Sequence, residues 1–128
     1  MRSFGSASSI HGKSVLIVDD VPAIRKMLSR GLKRTFDNVL VAENGKHALD
    51  VLASHSSEVF CGASVVITDM TMPLMDGCAL CKEIRQQEHE NGARRFTPCI
   101  IIGLTGNALQ SDINQFVQAG ADAVLTKP

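Results

Sequence analysis

Residues 65–77 read VVITDMTMPLMDG. A β-branched apolar run, Val65–Ile67, leads into Asp69. Pro73 and Asp76-Gly77 then break the chain, and Leu80, Cys81 and Ile84 resume with helical spacing. A run without polar alternation suits a strand covered on both faces, and Asp76 is a natural N-cap for the helix behind it. The same alternation extends outward in both directions. Further apolar runs lie at Val15–Val18, Val39–Ala42, Ile100–Leu104 and Ala123–Leu125. Between them, Ile24, Met27, Leu28, Gly31 and Leu32 recur at helical spacing behind Pro22. Ala48, Val51 and Leu52 follow Asn44-Gly45, and Leu109, Ile113, Phe116 and Val117 are closed by Gly120 as a C′ residue. The order β-α-β-α-β-α-β-α-β defines an α/β chain, which right-handed crossovers turn into a doubly wound, five-stranded parallel sheet.

The chain has 128 residues, close to the commonest size of one domain. With 45% hydrophobic and 20% charged residues it is not a disordered sequence. Thirteen basic and thirteen acidic residues cancel. That balance argues against nucleic-acid binding and against a polybasic membrane surface, since both need a positive excess. No apolar run approaches the roughly 18 residues of a membrane helix. Four cysteines (Cys61, Cys78, Cys81 and Cys99) are too few for a disulfide scaffold, so a cytoplasmic, reducing location is the expectation. Residues 1–13, serine-rich and without an acid, read as a flexible leader or linker; the folded domain is 14–128.

In an open α/β sheet, ligands bind beyond the carboxyl ends of the strands. There the first strand ends in Asp19-Asp20, the third in Asp69, the fourth in Thr105 and the fifth in Lys127. Any one of these has an ordinary structural explanation: strand-end aspartates form turns or caps, and a lone lysine is a surface lysine. Three carboxylates at one edge repel one another and call for a counter-charge, and oxygen donors without thiol or imidazole favour Mg²⁺ over Zn²⁺.

The four strand ends spell V-L-I-V-D-D, I-T-D-M-T-M-P-L-M-D-G, G-L-T-G-N-A and G-A-D-A-V-L-T-K-P. In that order and spacing, the chain resembles the receiver domain of two-component response regulators, in the wording found in hybrid histidine kinases. The resemblance implies a flavodoxin-like sheet of strand order 2-1-3-4-5. It implies that Asp69 accepts a phosphoryl group from a histidine kinase or a histidine phosphotransfer protein. Mg²⁺ would be held by Asp19, Asp20, Asp69 and the backbone carbonyl of Thr71. Lys127 and Thr105 would contact the phosphoryl oxygens, and the Lys127–Pro128 bond is often cis in the family. Such a domain is a signalling switch or relay and not a turnover enzyme. The alternative is a pseudo-receiver that keeps these residues but acts only as a protein-interaction module.

Two departures from the family pattern stand out. The fifth-strand position where many receivers carry a switching aromatic is Val124, and the chain has no Tyr or Trp. The family's last helix is missing after Lys127-Pro128, which reads as a truncation. Its absence is expected to leave apolar side chains of the first and third strands open to water, to be covered by further chain, a partner or a second copy in a dimer. Cys78-x-x-Cys81 lacks the second half of a zinc site and falls within a helix, where packing is the simpler role. His11, His47, His55 and His89 are assigned no role. A phosphatase of the D-x-D-x-T type is disfavoured because Thr71 stands where its second aspartate is needed. A flavodoxin-like nucleotide binder is disfavoured because no glycine-rich loop follows the first strand.

Overall fold

A computed structural model describes residues 13–55, 63–90, 98–106 and 109–127. The leader before Lys13, Cys61, Asn107 and the Lys127–Pro128 bond lie outside the described residues. Five strands, β1 (Ser14–Val18), β2 (Asn38–Ala42), β3 (Val65–Asp69), β4 (Ile100–Thr105) and β5 (Ala123–Thr126), alternate with four helices. These are α1 (Pro22–Leu32), α2 (Gly45–Ser54), α3 (Gly77–Glu90) and α4 (Gln110–Ala119). Every sequence-derived element is present, with ends shifted by a residue or two.

The sheet is wholly parallel with order β2-β1-β3-β4-β5. Local chemistry sets the helix ends. Pro22 opens α1, Asn44 Oδ1 accepts the His47 amide at α2, and Asp76 Oδ1 accepts the Ala79 amide at α3. Gly120 closes α4 at φ 118°, a left-handed backbone for which glycine carries no steric penalty.

One face of the sheet holds the main core. Leu16, Val18, Val66 and Ile101 meet Ala48 and Leu52 of α2, Leu80, Cys81 and Ile84 of α3, and Phe116 and Ala119 of α4. Arg85 ties this layer together. Its guanidinium donates to the carbonyls of Cys99 (2.8 Å) and Gly120 (3.0 Å) and pairs with Glu88 (2.9 Å) and Asp122 (2.8 Å).

The opposite face carries α1, which packs on β1 and β2. Here the expectation about open apolar surface needs correction. Val15 and Ile17 of β1 are fully buried, because β1 lies between β2 and β3 under α1. Val65 and Ile67 of β3 are half-buried, and the exposed large apolar side chains of the strands are Val41 on β2, Ile100 on β4 and Leu125 on β5, the last two more than half exposed. The strip left open is thus displaced by one to two strands from the expected place.

Candidate functional site

Four of the five strands deliver a functional side chain at the carboxyl edge. β1 continues into Asp19, whose amide donates to the Ala42 carbonyl at 3.1 Å and extends the sheet by one residue. Asp69 is the last residue of β3 and Thr105 the last of β4. Lys127 follows β5 with its amide on the Thr105 carbonyl at 2.8 Å. The parallel register therefore sets the four ends side by side.

Asp19 is completely buried and Asp69 nearly so, while Asp20 is exposed. Carboxylate oxygens of the three lie within 4.8 Å of one another. Lys127 Nζ bridges the two buried acids, 3.0 Å from Asp19 Oδ2 and 3.0 Å from Asp69 Oδ1. Asp19 Oδ1 accepts the Val21 amide at 2.9 Å, whereas the buried Oδ2 has the Lys127 charge beside it and no hydrogen bond of good geometry. Asp69 Oδ1 accepts the Met70 amide at 2.9 Å.

Burial, above all, pushes the Asp69 carboxyl above its ordinary range; the Lys127 ammonium opposes the rise and the Asp19 charge adds to it. Burial acts to lower the Lys127 ammonium, but its bonds to Asp19 and Asp69 outweigh this and hold it above its ordinary value, firmly cationic. One fixed positive charge thus faces three carboxylates. A buried carboxylate oxygen paired with Lys127, beside two more acids, all hard oxygen donors, fits a Mg²⁺ ion.

A cavity of about 890 Å³ opens from this cluster. Asp69, Thr71, Thr105 and Lys127 line it, and Thr105 is itself buried. The structure therefore brings together all six residues named from sequence. Lys82, on α3, and Asp112, on α4, line it too, and sequence reading missed both. Each sits on an ordinary helical stretch, and only the packing of α3 against α4 turns them toward Asp69. Arg25 was missed as well: its guanidinium holds the Asp19 carbonyl at 2.6 Å. A basic residue six positions after a strand-end aspartate was the available signal.

The cysteines divide. Cys81 is core, with its thiol pushed up to about 12 by burial. Cys78 is half-buried and borders the cavity. Val124 packs partly against the core at the position expected to lack an aromatic. His47 has a local role, its Nδ1 accepting the Glu43 amide at 3.2 Å. No helix among the described residues is long and apolar enough to cross a membrane.

With this geometry in place, comparison with known proteins is informative. A family-wide sequence description, the response regulator receiver domain, matches residues 15–128. The sensor histidine kinase GacS of Pseudomonas protegens is 35% identical over 114 residues, which are 89% of this chain but 12% of that protein. The chain thus spans about an eighth of that relative's length. Among solved structures, the receiver domain of the histidine kinase CKI1 from Arabidopsis thaliana, complexed with Mg²⁺ and BeF₃⁻, superposes with a TM-score of 0.77 at 28% identity. The match covers 95% of this chain and 85% of that one. A structure of the Saccharomyces cerevisiae histidine phosphotransfer protein Ypd1 with the receiver domain of its downstream response regulator Ssk1 matches with a TM-score of 0.74 at 29% identity. It covers 91% of this chain and 79% of that one.

Proposed function

The chain belongs to the response regulator receiver domain family of two-component signalling, and we propose that it takes a phosphoryl group from a phosphohistidine onto Asp69 in a Mg²⁺-dependent step. The observation that carries this reading is the Lys127 bridge between two buried acids, Asp19 and Asp69, beside an open cavity that Asp69 and Lys127 line. In the transfer, an oxygen of Asp69 forms the new bond to phosphorus as the P–N bond breaks, and the electron pair returns to the imidazole. Negative charge on the three non-bridging oxygens must then be met from the protein side. Lys127 would supply one contact from Nζ and Thr105 a second from its hydroxyl. Asp19, Asp20, Asp69 and the carbonyl of Thr71 would hold Mg²⁺, which when bound neutralises charge on the transferring group.

Burial of Asp69 supports this reading, because a largely buried carboxylate with a fixed cation beside it is pre-organised for reaction. The partner is proposed to be a histidine phosphotransfer protein or a histidine kinase, in the cytoplasm. The Ypd1–Ssk1 pair supports the first, and the kinase relatives support a place for the chain in a hybrid kinase.

The test is intact-protein mass after incubation with phosphoramidate, with and without Mg²⁺, beside an Asp69→Ala variant. A Mg²⁺-dependent gain of one phosphoryl group, absent in the variant, is the expected result. No gain in a folded protein overturns the reading in favour of an interaction-only module.

A further inference from the structure

Arg25 reaches the acidic cluster from α1 and pairs with none of its carboxylates. Its Nη1 donates to the backbone carbonyl of Asp19 at 2.6 Å, and among the described residues the guanidinium makes no salt bridge. A guanidinium matches a carboxylate with two parallel bonds, so its choice of a carbonyl beside three acids is informative. The carboxylates are left to other partners.

The Asp19 carbonyl needs this bond. Every other polar group of Asp19 is engaged: its amide on the Ala42 carbonyl at 3.1 Å, Oδ1 with the Val21 amide at 2.9 Å, and Oδ2 beside Lys127 Nζ at 3.0 Å. No backbone amide among the described residues donates to the carbonyl. That carbonyl lies in the planar peptide joining Asp19 to Asp20, so its direction sets where Asp20 projects. Asp20 is exposed, and its carboxylate has no partner among the described residues, yet an oxygen of it stands within 4.8 Å of oxygens of Asp19 and Asp69. Repulsion between like charges at that range pushes the exposed acid toward water. Nothing on the Asp20 side chain resists this, whereas a peptide plane pinned by Arg25 does.

We propose that Arg25 is a positioning residue for the Mg²⁺ site: by fixing the Asp19–Asp20 peptide, it keeps the Asp20 carboxylate turned toward Asp19 and Asp69. The assignment rests on the reading of these three acids as Mg²⁺ ligands. Arg25 itself touches neither metal nor phosphoryl group. Its charge alone would act the other way, because a guanidinium beside the site repels a dication and its removal would tighten binding. Positioning and charge therefore predict opposite signs.

The experiment is calorimetric titration of Mg²⁺ into the folded chain, for wild type, Arg25→Met, Arg25→Lys and Lys26→Met. Methionine keeps an apolar stem at the half-buried Arg25 position and removes the guanidinium. Its Kd for Mg²⁺ is expected to rise about tenfold, the lower end of what losing a residue that orients a metal ligand costs. Arg25→Lys keeps the charge but loses the rigid fork, and should weaken binding about threefold. Lys26→Met removes the same charge from an exposed neighbouring position and should stay within about twofold of wild type. Phosphoramidate labelling followed against Mg²⁺ concentration gives a second readout. The half-saturating concentration should rise in Arg25→Met while the plateau rate holds, a split that general loosening of the fold would not produce. Unchanged or tighter binding in Arg25→Met overturns the assignment, as does an equal weakening in Lys26→Met. If Arg25→Met does not fold, Arg25→Lys decides, and wild-type affinity in that variant overturns the assignment. A wild type that neither binds Mg²⁺ nor needs it for labelling overturns the metal reading itself, and Arg25 positioning with it.

Discussion

The carbonyl oxygen of Asp69 occupies the space that a Cβ at residue 77 would need, so Gly77 is the condition for the end of β3 and the start of α3 to lie this close. The Gly77 amide completes the contact on the Met70 carbonyl at 2.9 Å. Gly77→Ala must therefore push the Asp69 backbone outward. Overpacking of this kind costs roughly 1–3 kcal/mol. Urea denaturation is expected to show that loss, and phosphoramidate labelling of Asp69 is expected to slow in the same variant. Unchanged labelling with lowered stability would mean that the carboxylate tolerates the displacement.

Mg²⁺ should stabilise the fold through the Asp19 cluster. A ligand at ten times its Kd adds about 1.4 kcal/mol. Titrating Mg²⁺ against thermal unfolding should raise the wild-type Tm and leave Asp19→Asn nearly unmoved, because the variant gives up a buried carboxylate of the site. A wild-type Tm indifferent to Mg²⁺ would remove the metal from the proposed chemistry.

Arg85 joins α3 to Cys99, Gly120 and Asp122 with three bonds of 2.8–3.0 Å. Asp122 Oδ2 also accepts the Ile101 amide at 2.8 Å, so one guanidinium anchors the starts of β4 and β5 together. Arg85→Ala is expected to destabilise by about 2 kcal/mol, the scale of charge-assisted hydrogen bonds in a partly exposed site. A chemical denaturation midpoint measures it. Transfer to Asp69 should stay unchanged, because the network lies at the opposite end of the strands.

Thiol chemistry should separate the cysteines. With its thiol pushed up to about 12 by burial, Cys81 carries almost no thiolate at pH 8, and burial also blocks access. Alkylation by iodoacetamide, read by peptide mass, should leave Cys81 unmodified until the chain unfolds. Cys78, also raised by burial but bordering the cavity, should react slowly in the native protein.

The apolar strip on β4 and β5 should drive association. Ile100 and Leu125 are more than half exposed, and Ile102 and Leu104 are half-buried beside them. Sedimentation velocity across a concentration series is expected to show a dimer of this chain that Leu125→Lys weakens. A monomer at every concentration would count against it.

Much of this protein is legible along the chain. Unbroken β-branched runs, the Asn44 and Asp76 caps and the Gly120 stop are local chemistry, and local chemistry decides strand, helix and their ends. Parallel topology then places Asp19, Asp69, Thr105 and Lys127 at one edge, because every strand of such a sheet ends on the same side. Distance and burial were not legible. That Lys127 bridges two buried acids depends on contacts across strands that are far apart in sequence. Asp112 and Lys82 join the cavity only through helix–helix packing, and the open apolar strip lies on β4 and β5 because α1 settles over β1 and β2. The left-handed Leu74 belongs to the same class: no residue preference announces it, and only the bonds that pin Met75 and Gly77 impose it. The sequence by itself determined the elements, their order and the residue types at the sheet edge, since those follow from near-neighbour physics. The tertiary structure alone decided which groups touch, which are dry and which face water, since those follow from packing between distant segments.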